Sequence, residues 1–241
     1  MQRPNEVRAP LMSASANTSG DVQSFSHWLR EGHRNLWQRM VNHRFCSDMA
    51  HDRLPQAAFV RYLRYEHAFV RTAIAVFAYA VAKAPTPADQ DHLLGVLNAL
   101  AGEQQSYFQH TFEQMGEDAG VLPDEALPPA ARGLRLGVLE IAASGNFGEI
   151  LAAMLAAEWM YLTWCEDAIR QEPQAGAPAD WIRLHVESGF RAQVHWLMRR
   201  LDSFAPALDG EARQRCRDNF GRMLALEIAF HDAPYEGELA L

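Results

Sequence analysis

Residues 150–161 read Ile150-Leu151-Ala152-Ala153-Met154-Leu155-Ala156-Ala157-Glu158-Trp159-Met160-Tyr161. Apolar residues here cover more than one face of a helix, so the helix is expected to be buried on most sides. The alanines allow a neighbouring helix to approach closely or leave space beside it. Facing a bundle interior, such a run is more often tight packing than the wall of a pocket. The run from Ile150 to Ala157 is too short to span a bilayer, and so is Thr72 to Ala82.

Outward from this stretch, turn signals cut the chain into seven helical blocks. Ser144-Gly145-Asn146 reads as a short turn joining two antiparallel helices. Before it, Gly120 to Pro129 reads as a loop, and a helix runs from about Ala88 to Met115, with Gly116 as its stop. Ala84-Pro85-Thr86-Pro87 ends the helix before that, Gln56 to Lys83, because proline excludes the preceding residue from helical geometry. The first block, Ser24 to His43, is followed by a break at His51 to Pro55. On the C-terminal side, Pro173 to Pro178 separates a helix from about Ala179 to Phe204, and Asp209 caps the last helix, which ends near Asp232. No segment alternates β-branched residues, which argues against a sheet. Long helices and short loops predict an all-α, up-and-down bundle of about seven helices.

Composition sets the outer limits. The chain has 241 residues, 49% of them hydrophobic, enough for one core and one domain over residues 23–241. Residues 1–22, rich in Ser, Asn, Pro and Gly and without an apolar core, read as a flexible tail and not as a secretory signal. A net charge of −8 argues against nucleic-acid binding, which needs a basic footprint. The Arg191, Arg199, Arg200 cluster reads as a solvated face. Cys46, Cys165 and Cys216 form neither a disulfide framework nor a zinc pattern, and fit a soluble protein in the reducing cytoplasm.

Acids inside apolar stretches are the most informative feature, because an unpaired buried carboxylate is costly. Glu66 lies among Tyr65, His67 and Phe69; Glu158 lies between Ala157 and Trp159; Glu227 sits within Leu224-Ala225-Leu226-Glu227-Ile228-Ala229-Phe230. The bland alternative solvates each carboxylate at a helix edge or pairs it with Arg64, Arg71 or Arg222. Tyr65 with Phe69, and Ala157 with Tyr161, share faces by their four-residue spacing. Rings beside a buried acid suit a flat, amine-bearing heterocycle, although aromatic stripes are more often core. A di-iron centre needs Glu-x-x-His pairs. The ten histidines provide none; Glu103 and His110 are too far apart, and His185 and His231 read as isolated. No metal and no cofactor are expected. Cys165, two turns beyond Ala157, reads as structural.

The order of these features resembles the TenA (thiaminase II) family. The similarity runs through Leu36-Trp37, His43-Arg44-Phe45, Leu54-Pro55, Phe59, Tyr62-Leu63, Glu66 and Phe69. It continues through Ser144-Gly145-Asn146-Phe147 and Ala157 to Tyr161, then Trp181-Ile182, Phe190, Val194 and Leu201-Asp202, to Phe220, Glu227, Phe230 and Tyr235. The resemblance implies a haem-oxygenase-like bundle, a pyrimidine substrate and association as a homodimer or homotetramer. It also implies roles. Glu227 matches a glutamate that protonates the pyrimidine, Tyr161 a tyrosine beside the nucleophile, and Phe69 and Phe230 ring-contacting aromatics. Four positions depart from the pattern. Glu66 replaces an aspartate that binds the pyrimidine amino group, Leu134 and His185 replace tyrosines, and Ala157 replaces the catalytic cysteine.

Alanine has no nucleophile, so the covalent thiaminase route is excluded. What the resemblance implies instead is the family's cysteine-lacking branch, in which a glutamate takes the key role: an aminohydrolase of thiamin salvage that acts on C–N bonds of an aminomethyl- or formylaminomethyl-pyrimidine. Glu227 would be the acid, Glu66 would orient the exocyclic amine, and Glu158 would activate water. Three other readings stand beside it: an enzyme acting on a different amine-bearing metabolite, a non-catalytic pyrimidine-binding or regulatory protein, and a di-metal oxidase.

Overall fold

Eleven α-helices follow one another along residues 24–236, the part of the chain that the computed structural model describes. They are α1 (Phe25–Gly32), α2 (Arg34–Val41), α3 (Arg44–Ala50), α4 (Gln56–Lys83), α5 (Pro87–Ala101), α6 (Glu103–Met115), α7 (Pro129–Ser144), α8 (Phe147–Ile169), α9 (Ala177–Leu184), α10 (Ser188–Phe204) and α11 (Gly210–Asp232). No strand occurs among the described residues. The tail expected over residues 1–22 lies outside them.

All seven sequence blocks are present, but three are broken and α3 is added. The break between α1 and α2 is made by α11: His33 Nε2 donates to the Arg217 carbonyl at 2.9 Å, and a Cβ on Gly32 would meet Arg217 Nε at 2.7 Å. His43 then caps α3, its Nδ1 accepting from Phe45 N at 3.1 Å, so the predicted break at His51 follows a helix that sequence reading passed over. Gly102 separates α5 from α6, and His185–Glu187 separate α9 from α10.

The stops and caps read from the sequence recur. Gly116 ends α6 in the left-handed region at φ 70°, which glycine adopts without strain. The Asp209 side chain accepts from Ala212 N at 2.7 Å and starts α11. Asn146 does the same for α8 through Glu149 N at 3.0 Å. Lys83, at the end of α4, donates to the carbonyls of Ala142, Ala143 and Gly145, so its cation satisfies the C-terminus of α7.

Helix α8 is the axis. Every residue from Phe147 to Ala156 is buried, as its all-round apolar sequence requires. It packs against α11, α10 and α3, while α4 packs against α5 and α7. Arg200 of α10 is no solvated side chain. It grips the buried Asp89 of α5 at 2.5 and 2.8 Å and ties these two helices together. Arg191 likewise pairs with Glu166.

Candidate active site

The helices enclose a cavity of about 710 Å³, a size suited to a small-molecule ligand. Glu66 and Phe69 reach it from α4, Leu134 from α7, Ala157, Glu158 and Tyr161 from α8, His185 from the end of α9, and Glu227 from α11. Eight of the nine site residues expected from sequence therefore line one space. The ninth, Phe230, does not. Its ring is buried behind the wall, 5.8 Å from Tyr62 and 6.3 Å from Tyr65 between ring centroids, where it supports the aromatic core.

None of the arginines that could have neutralised the acids does so. Arg64 pairs with Glu117 at 3.0 Å, Arg222 with Glu140, and Arg71 faces outward. No lysine or arginine lines the cavity, while Glu66, Asp91, Glu103, Glu158, Glu187 and Glu227 do. The cavity thus favours neutral or cationic ligands over anions.

At its inner end the polar groups are ordered by one another. Tyr161 donates to Glu66 Oε1 at 2.6 Å, and Tyr62 donates to the Tyr161 oxygen at 2.7 Å. Burial pushes the Glu66 carboxyl up to about 7, with the two phenols partly opposing the shift. Burial, and then the charge of Glu66, hold Glu227 well above the usual carboxylate range. Both acids are therefore harder to ionise than ordinary carboxyls. Glu227 Oε2 has no hydrogen-bond partner in the protein.

His231 is not isolated, contrary to the sequence reading: its Nδ1 lies 3.7 Å from Glu227 Oε2. No ion pair forms there. Nδ1 donates to the Glu227 carbonyl at 2.8 Å, and burial lowers the ring to about 3, so it is neutral. His185 follows the same pattern. Its Nδ1 donates to the Trp181 carbonyl at 2.8 Å, burial lowers it to about 4, and its ring stacks on Tyr161 at 4.9 Å. That leaves Nε2 as an acceptor where a phenol was expected.

Glu158 stands apart from that network. Burial pushes it up to about 8, and the Gln193 amide facing it from α10 offsets part of the shift. Glu158 Oε2 and Gln193 Nε2 nonetheless each lack a hydrogen-bond partner in the protein. On its other side Gln193 Oε1 accepts from His92 Nε2 at 2.7 Å, and the His92 ring stacks on Trp196 at 3.9 Å. Sequence reading missed Gln193 and His92. Both lie on amphipathic helices, where polar residues read as solvated, and only the packing of α5 and α10 around the cavity turns them inward.

Cys165 is buried and held well above its ordinary pKa by burial, as suits a packing residue. Among the described residues no group of three or more His, Cys, Asp or Glu side chains is placed to hold a metal ion.

An all-α bundle around an acid-lined, largely apolar cavity defines a helical protein with room for a small molecule. Comparison with known proteins makes this narrower. The TENA/THI-4/PQQC family model matches residues 30–237, and the chain belongs to that family. The aminopyrimidine aminohydrolase of Bacillus subtilis (strain 168) is 33% identical over 95 residues, a match that spans 39% of this chain and 40% of that protein. A TenA homologue from Pyrococcus furiosus superposes with a TM-score of 0.80 at 21% identity, covering 88% of this chain and all of that one. A domain with a heme oxygenase-like fold from Shewanella denitrificans OS217 superposes with a TM-score of 0.69 at 13% identity, covering 90% and 94% of the two chains. The fold is the haem-oxygenase-like bundle expected from sequence. No helix among the described residues is long and apolar enough to cross a membrane.

Proposed function

We propose that this protein hydrolyses the C–N bond of an aminomethyl- or formylaminomethyl-pyrimidine in thiamin salvage, without a cysteine nucleophile. The observation that carries the reading is the convergence of Glu66, Glu158 and Glu227 on one cavity that no arginine or lysine lines. Family membership and the aminopyrimidine aminohydrolase relative support it.

The roles follow from the environments. Glu66, fixed by Tyr161, accepts the N–H donors of the exocyclic amine. Phe69 and Tyr161 flank the ring. Glu227, whose burial favours the protonated form, serves as the acid, supplying the proton that the departing nitrogen requires. Glu158, in the ionised form that grows as pH rises toward about 8, takes a proton from water as the water oxygen bonds to the carbon and the C–N electron pair leaves with nitrogen. Ala157 leaves no side-chain nucleophile at its position, so the step is direct. The protein works in the cytoplasm as a homodimer or homotetramer and uses no cofactor.

Purified protein should convert aminomethyl- and formylaminomethyl-pyrimidine to the hydroxymethyl product, as followed by chromatography. Folded protein with no turnover above buffer overturns the reading.

His185 motivates a second one. A neutral imidazole and Leu134 remove two phenols from the wall and add an acceptor, which suits a different amine-bearing metabolite. A ligand screen by thermal shift separates the two: stabilisation by pyrimidines alone excludes the second.

A further inference from the structure

The polar contacts of Glu158 have no role yet beyond proton transfer, and they point to a partner in it. Glu158 and Gln193, from different helices, lie close enough for the amide to hold the Glu158 carboxyl down, yet Glu158 Oε2 and Gln193 Nε2 each fall short of a well-formed hydrogen bond within the protein. Leaving such groups unmet costs about 1–3 kcal/mol each. One is an acceptor when ionised and the other is a donor, so together they match a molecule that donates once and accepts once.

A ring nitrogen 2.7 Å from an oxygen that only accepts must carry the hydrogen, so His92 Nε2–H donates to Gln193 Oε1. Trp196 stacks against the His92 ring at 3.9 Å and 13° and fixes its plane. Trp196 is also one turn beyond Gln193 on α10, so the clamp and the clamped amide move together. Gln193 Nε2 is therefore turned away from His92 and toward Glu158. The Asp89–Arg200 pair, one turn from His92 along α5, holds the same two helices in register.

We propose that Gln193 is a further catalytic residue, which holds the attacking water between its Nε2 and Glu158 Oε2, and that His92 is the positioning residue that sets the amide. The water accepts from Gln193 and donates to Glu158. Its free lone pair then forms the bond to carbon, its proton passes to Oε2, and the C–N electrons leave with nitrogen. This inference rests on the reading above that Glu158 is the base.

Four variants test it, with steady-state kinetics on the aminopyrimidine substrate and thermal unfolding as a control for folding. Gln193→Leu should lower kcat about 10²-fold with KM changed by less than about threefold, the pattern of an interaction made only in the transition state. His92→Phe keeps the stack on Trp196 but frees the amide, and should lower kcat about tenfold. Glu158→Gln should lower kcat about 10³-fold, to a rate still measurable above buffer. In that background Gln193→Leu should cost less than about twofold more, because two residues that hold one water lose it once.

Gln193→Leu with wild-type kcat, beside an impaired Glu158→Gln, overturns the water-holding pair and leaves the base in place. Losses that multiply in the double variant overturn the pair as well. If Gln193→Leu fails to fold, a wild-type kcat in folded His92→Phe overturns it. Full activity in Glu158→Gln, or none in the wild type, overturns the functional reading and this inference with it.

Discussion

The two ends of the cavity solve the burial of a carboxyl in opposite ways. Around Glu66, two tyrosines form a chain of short hydrogen bonds, and the acid is pushed only to about 7. Around Glu158 one amide faces the acid, both groups stay unpartnered in the protein, and burial carries the carboxyl to about 8. The first arrangement is complete within the protein. The second leaves an acceptor and a donor unmet within the protein. On the proposed function, the first group orients the substrate and the second reacts.

The comparison can be broken first at Glu227, the acid that feels the charge of Glu66. Glu227→Gln keeps the shape and removes the proton. A loss of about 10³-fold in kcat/KM is expected, within the range for general acid catalysis, with the unfolding temperature at or above that of wild type. A loss under tenfold, measured by steady-state kinetics, would remove Glu227 from the chemistry.

Tyr161→Phe attacks the ordered end. Glu66 loses its donor and its carboxyl should titrate higher still, since the phenol opposes the upward push. About a 10²-fold loss in kcat/KM is expected, with a stability cost of about 1–3 kcal/mol from the stranded acceptor in chemical denaturation.

Arg200→Met loosens the other end from outside the cavity. It leaves buried Asp89 with Thr86 as its remaining partner and should cost about 1–3 kcal/mol of stability. Because α5 then floats on α10, KM should rise more than kcat falls. Equal effects at both ends would deny that this clamp serves the Glu158 side.

The smallest effect is on stability against pH. The folded-state pKa of Glu158 lies above its ordinary 4.5, so between pH 4.5 and about 8 the folded protein binds more protons than the unfolded chain. Stability from this group is then lost as pH rises through that window. Glu158→Gln does not titrate. Its unfolding temperature should exceed that of wild type by about 2–4 °C at pH 9 and approach it near pH 4, by differential scanning calorimetry. His185 and His231, held neutral in the fold, act on the acid side, where protonation of the unfolded chain lowers stability below about pH 6.5. They leave the alkaline difference intact.

Glu66, Glu158 and Glu227 were legible in the sequence because a charge inside an apolar helical stretch contradicts burial, and the contradiction points to a site. His92 and Gln193 break no such pattern. Phe230 was misplaced for a related reason: three residues beyond Glu227 its ring turns toward Tyr62 and Tyr65, a choice made by the opposing helix α4. The break at His33 was equally hidden, since its cause, Arg217, is on α11.

By itself the sequence determined the helices, the caps at Asn146 and Asp209, the stop at Gly116, and the three acids on otherwise dry faces. These depend on neighbours within a turn or two, where propensity, capping and periodicity act. Tertiary structure alone decided that the acids meet in one cavity, that no arginine reaches them, and that Gln193 faces Glu158. Those facts depend on how α4, α5, α8, α10 and α11 pack across gaps in the chain of tens to over a hundred residues, and hydrophobic periodicity says which face is buried but not which partner it meets.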